Sequence, residues 1–257
     1  MPVLHASVPT AGLSIFINRH GGTYVRGYSD SATNHSSVLG SRLASTKVNG
    51  FGGNDDQWQR FVSCLEKQFD LYQIEWLSTE PVSGSYMELV VGDVPETLGL
   101  EAKTVGIAPM DKEGRRILPK AIAFVFSERI GAHRPQRVCE VAAQEIGHAL
   151  GLDHSLLCQD PMSYLKGCGT KTFQNRAVPC GEQSPRVCKS GEMTQNTVQL
   201  LKQRLGIRAG RRRDTDISMQ ETPYDLQAKS APGSQSPGIL LPGPVDEAEP
   251  MADRGAP

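Results

Sequence analysis

The stretch that decides the fold is Gln144-Glu145-Ile146-Gly147-His148-Ala149-Leu150-Gly151-Leu152-Asp153-His154. Positions 144 and 148 are one helical turn apart, so their side chains leave the same face and converge on one point. Gly151 suits the left-handed turn that ends a helix, and such a turn can carry His154 back to that point from another direction. Glu145 sits beside position 144 and can reach a water there without being a ligand. Three donors with a fourth position open is the arrangement of a catalytic zinc. Each of these residues alone has an ordinary explanation: a hydrogen-bonded core histidine, or a solvated helix glutamate. The set at these spacings carries the reading.

Working outward, Pro135 opens the helix that bears Gln144 and His148, at a position where its missing N–H costs nothing. Upstream, Leu13 to Ile17 reads as a buried strand, and residues 21 to 56, rich in Gly, Ser, Asn and Asp, as a long surface loop. From Asp55 to Tyr72, Trp58, Phe61, Val62, Leu65, Phe69 and Tyr72 recur at three- and four-residue steps, predicting an amphipathic helix with Asn54 or Asp55 as its cap. Strands are expected at Gln73–Leu77, Met87–Val91, Thr104–Ala108 and Ala121–Phe126, the last with the continuous apolar character of a central strand. Residues 153 to 191 show no periodicity, and a final helix is expected from about Glu192 to Leu205. From Ile207 the composition turns to Pro, Gly, Ser and charge, with seven prolines between Pro223 and Pro257. Such a segment buries too little apolar surface to offset its ordering entropy. The expected organisation is one domain over residues 1–206 and a disordered tail over 207–257.

The segment around the two histidines resembles the extended zinc signature H-E-x-x-H-x-x-G-x-x-H of the metzincin metallopeptidases. Glu145, His148, Gly151 and His154 match it by position, and Asp160-Pro161-Met162-Ser163-Tyr164 resembles the Met-turn of that clan. The spacing of Met162 and Tyr164 is similar to that of the astacins and serralysins. The resemblance implies an α/β (α+β) fold: a twisted, mostly parallel sheet with an antiparallel edge strand, an active-site helix and an irregular C-terminal lobe with a final helix. It also implies a zinc-dependent endopeptidase. Gln144, His148 and His154 would hold Zn2+, with Met162 beneath it. Glu145 would act as general base, and Tyr164 would stabilise the oxyanion. The strand near Thr104–Ala108 would be the edge that pairs with an extended polypeptide substrate, and the chain would be a monomer.

One departure stands out: the first ligand position holds Gln144, whose amide oxygen is a harder and weaker donor to zinc than imidazole. Nearby histidines do not replace it. The intervening helix would hold His133 about 15 Å from position 144, and His5, His20 and His35 belong to the N-terminal segment. The alternative to an enzyme is therefore a catalytically impaired protein of the same fold that binds a peptide or protein partner.

Twenty-seven basic against 28 acidic residues argue against a nucleic-acid binder, and Arg211-Arg212-Arg213 reads as part of a solvated segment. No stretch approaches the roughly 20 apolar residues that span a bilayer, and no apolar signal-peptide core follows Met1. Six cysteines favour an oxidising compartment, extracellular or periplasmic. Many pairings are open to six cysteines; the expected one is Cys64–Cys139, Cys158–Cys168 and Cys180–Cys188, the last two stapling the irregular segment. A zinc knuckle competes poorly because no C-x2-C spacing occurs.

Overall fold

The structure is a computed structural model that describes residues 12–209. In chain order its elements are β1 (Leu13–Asn18), β2 (Gly21–Arg26), β3 (His35–Ser36), β4 (Ser45–Asn49), α1 (Asp55–Gln68), β5 (Ile74–Leu77), β6 (Met87–Val91), β7 (Gly106–Ile107), β8 (Ile122–Val125), α2 (Ser127–Ile130), α3 (Pro135–Ala149) and α4 (Thr197–Leu205). The described residues belong to one compact unit. The expected tail lies outside them beyond residue 209, as do His5 and the arginine run. The domain itself passes the boundary expected at 206, because Ile207 bridges Tyr72 and Arg208 N–H donates to Leu71 O at 3.0 Å.

The fold is mixed α/β around a mostly parallel five-stranded sheet of order β5-β1-β6-β8-β7. Only β7 runs antiparallel, paired to β8 through Gly106↔Val125 and Ile107↔Phe124. Alternation along the strands explains the continuous apolar runs. Met87, Leu89, Val91, Ala123 and Val125 face one core with the helices, and Val90, Ile122 and Phe124 face a second core on the other side. On the helical side α1 and α3 pack together, bridged by Cys64–Cys139. Asn54 caps α1 as expected: its side chain accepts from Gln57 N while Gln57 accepts from Asn54 N, each at 2.9 Å.

The second core corrects the sequence reading. Residues 21–56 are not one loop; they contain β2, β3 and β4, a three-stranded sheet of order β3-β2-β4. It closes the far side of the main sheet with Tyr24, Leu39 and Val48. Two shorter corrections concern element ends. The edge strand spans only Gly106–Ile107, and α4 begins at Thr197, where Asn196 accepts from Gln199 N and caps it.

The two sheets are joined by a buried polar cluster. Glu88 Oε1 accepts from Asn18 Nδ2 and Tyr24 OH, both at 2.8 Å, while Glu88 Oε2 is buried without a partner. Burial raises the Glu88 pKa above the ordinary carboxyl value. A carboxyl whose folded pKa is raised binds its proton more tightly in the folded state. Its contribution is therefore fully present below the ordinary range and falls as pH rises through the folded value. Glu88→Gln keeps the acceptor and removes the charge. Its unfolding free energy relative to the parent should rise from about pH 4 to about pH 8, measured by urea denaturation at both; a difference independent of pH would contradict this.

All three disulfides pair as expected: Cys64–Cys139, Cys158–Cys168 and Cys180–Cys188. They suit an oxidising compartment. Among the described residues no helix is long and apolar enough to cross a membrane. The last helix also closes the end of α3. Arg204, mostly buried, donates from Nη1 to Leu150 O and from Nη2 to Gly114 O at 2.8 Å, supplying a cation to the carbonyl end of the helix.

Candidate functional site

Helix α3 is buried on nearly every side from Val138 to Gly147, so it is held rigidly against the sheet. Gln144 and Glu145 are both buried near its C-terminal end. Leu150 ends the helix, Gly151 takes the left-handed conformation at φ 85°, and the chain doubles back through Leu152 to His154. The turn brings the two imidazoles together, with ring centroids 4.7 Å apart and planes nearly perpendicular. Tyr164, about half exposed, also packs on His154, ring centroids 4.3 Å apart. Met162 is fully buried beneath the helix. Its sulfur packs so close to Gly147 that a Cβ there would approach it to 2.5 Å.

The proton positions on both rings follow from their partners. His148 Nδ1 lies 3.0 Å from Leu152 O; a carbonyl only accepts, so Nδ1 carries the proton and Nε2 offers its lone pair. His154 Nδ1 lies 2.8 Å from Glu182 Oε1, and His154 Nε2 is buried with no partner. Gln144 Nε2 is likewise buried and unpartnered, and a half-turn of its amide would put the carbonyl oxygen in the same place. Burial, then the neighbouring His154, pushes the His148 pKa down to about 4, which keeps that imidazole neutral at physiological pH. Burial alone raises Glu145 to about 8. Its Oε1 faces the edge strand, where a Cβ on Gly106 would lie 2.6 Å away. Burial, Glu145 and Glu182 raise the Tyr164 phenol above its ordinary value, so it remains a donor.

A cleft of about 890 Å³ is lined by Thr104, Val105 and Gly106 on the strand side and by Gln144, Glu145 and Tyr164, with neither His148 nor His154 in its wall. Among the described residues no group of three or more His, Cys, Asp and Glu side chains is placed to hold a metal; the third donor here, Gln144, is of another type. The remaining histidines lie elsewhere. His35 Nδ1 bonds to Thr33 on the second sheet, His20 lines a separate cavity with Trp58 and Trp76, and His133 packs on Gly131.

The two imidazoles stand at a spacing that a shared cation would accept. Two imidazoles sharing a zinc at about 2.0–2.1 Å per nitrogen have centroids about 5 Å apart, close to the spacing here. Two buried polar atoms, on Gln144 and His154, lack any protein partner. Buried polar groups are usually satisfied, and a cation held between these residues would satisfy both atoms once the Gln144 amide is turned.

No family model matches the chain, and no curated protein does.

Sequence reasoning missed Glu182, the partner of His154, and Arg186, which donates to Glu182 and to Asp153. Glu182 stands 28 residues from His154 in sequence, within an aperiodic stretch. Its one signal is that the flanking Cys180 and Cys188 are expected to pair.

Proposed function

We propose that the chain is a zinc-dependent endopeptidase of the metzincin type that residues 144–164 resemble. The observation that carries this reading is the meeting of the His148 and His154 rings one helical turn from Gln144 and Glu145, which line an open cleft, with unpartnered buried atoms on Gln144 and His154. Gln144, His148 and His154 would hold the metal. Zinc held there would act as a Lewis acid toward a peptide carbonyl and lower the pKa of a water.

Every other step belongs to the chain's own side chains. Glu145 takes the proton of the attacking water and returns it to the leaving amine. Its carboxyl lines the cleft and makes no hydrogen bond among the described residues, so it is free to exchange a proton with a water there. Tyr164, kept protonated, donates to the tetrahedral oxyanion. The outer edge of β7 offers its backbone to a substrate peptide in extended form, as strand addition requires. Three disulfides support an extracellular or periplasmic setting.

The test is metal analysis of the purified chain, with hydrolysis of an unfolded protein before and after chelation. We expect bound zinc, and activity that is lost on chelation and restored by zinc. Gln144→His should tighten zinc binding by more than about tenfold, since it exchanges an amide oxygen for imidazole at an otherwise assembled site; competition with a chelator measures this. A parent without zinc or hydrolysis, beside a Gln144→His variant with both, would make the natural chain a peptide-binding module instead.

A further inference from the structure

We propose that Glu182 is a positioning residue of this site: it orients His154 through Nδ1 and fixes the tautomer that presents the Nε2 lone pair. The Cys180–Cys188 loop is the device that delivers it. The inference rests on the zinc reading for its purpose, but its geometry stands on separate observations.

The two histidines are held in different ways. His148 rides on α3, and its ring is pinned by a carbonyl four residues on, Leu152 O. His154 follows the Gly151 turn in a segment without helix or strand. Its neighbours fix its backbone: His154 N donates to Asp153 Oδ1 at 2.8 Å, and Gly181 N donates to His154 O at 3.1 Å. Nothing in its own segment fixes the ring. That task falls to Glu182 Oε1, 2.8 Å from Nδ1.

A glutamate on a loop is a poor anchor unless it is itself immobilised, because freezing its rotamers costs up to about 2 kcal/mol. Glu182 is immobilised from two directions. Arg186 Nη2 donates to Oε1 at 2.8 Å and Arg186 Nε to Oε2 at 3.3 Å. The same guanidinium grips both oxygens of Asp153, the residue before His154, at 2.7 and 2.8 Å, the two-pronged geometry that arginine favours. The loop is closed by Cys180–Cys188, by Arg186 N donating to Cys180 O at 2.8 Å, and by a bridge from Cys180 to Ser155. One arginine thus clamps the backbone neighbour of His154 and the carboxylate on its ring to each other.

The chemical consequence is directional. In the neutral ring, with Nδ1–H donating to a carboxylate, Nε2 is the bare nitrogen, and Nε2 is the buried atom without a partner. A carboxylate behind an imidazole makes a better metal ligand than a free ring, by orientation and by added basicity. A mere surface ion pair between Glu182 and Arg186 would contribute little and would have no bearing on the ring's tautomer.

The experiment uses the whole chain. Nitrogen NMR of the histidines, without metal and about two pH units above the ordinary histidine pKa, reads the tautomer directly. We expect His154 in the Nδ1–H form in the parent, a mixture in Glu182→Ala, and the parental form largely kept in Glu182→Gln, whose amide carbonyl still accepts. Zinc affinity by chelator competition should fall about 10- to 100-fold in Glu182→Ala, and less in Glu182→Gln. An Nε2–H ring in the parent, or a tautomer unmoved by Glu182→Ala, overturns the inference. If the parent takes up no zinc, the tautomer still decides whether Glu182 orients His154, and the metalloenzyme reading is what falls.

Discussion

On the proposed zinc-peptidase reading, Glu145→Ala is expected to lose peptide-bond hydrolysis by roughly 10²- to 10⁴-fold while zinc binding is kept. The separation of the two effects is the point. Gln144 and His148 share one face of α3, whereas the Glu145 carboxyl projects toward β7, beside Gly106. In the proposed site it is a neighbour of the ligand set and not a member, so removing it should leave chelator competition unchanged. The fold should tolerate the change as well. The carboxyl is buried, its pKa rises to about 8 for that reason alone, and it makes no hydrogen bond among the described residues. Deleting it therefore removes a desolvation penalty without orphaning a partner, and the Tm should not drop. Equal hydrolysis by parent and variant would end the peptidase reading.

Replacing both Cys64 and Cys139 by alanine will lower the free energy of unfolding by about 4 kcal/mol. The bond spans 75 residues of sequence, so it removes much of the freedom of the unfolded chain, and loop-closure entropy grows with that span. Total stabilities run to about 5–15 kcal/mol, so the loss is large, and equilibrium denaturation should read it directly. The effect should concentrate on α1 and α3, which the bond joins, and Cys139 sits fully buried on the helix that carries Gln144 and His148. Unchanged stability in the double variant would mean that packing between the two helices already supplies the constraint. The shorter Cys180–Cys188 bond spans 8 residues and should contribute less to global stability, its effect falling on the loop that reaches His154.

The difference between those two bonds marks what the sequence discloses. Helix α3 was legible because one turn of spacing, an N-terminal proline and a terminal glycine all agree, and agreement across levels is what specifies structure. Strand β8 announced itself by a continuous apolar run, since both of its faces are covered. The sheet of β2, β3 and β4 was not legible. Only Tyr24 of β2 and Val48 of β4 are buried apolar residues there, and the surrounding glycines, serines and asparagines read as turns. Glu182 was hidden for another reason. Its partnership with His154 is a tertiary contact between two irregular segments, and no periodicity encodes such a contact.

Arg204 has a consequence for how the domain is assembled. Its guanidinium holds Leu150 O and Gly114 O, at the turn that sends the chain from α3 toward His154. That turn is therefore completed by a residue made more than fifty positions later. While the chain is being made, α3 can form with Gln144 and His148 in place, but the corner leading to His154 waits for α4. A fragment ending before residue 204 should keep its helix and leave His154 poorly placed, so the finished geometry waits for α4 to be made.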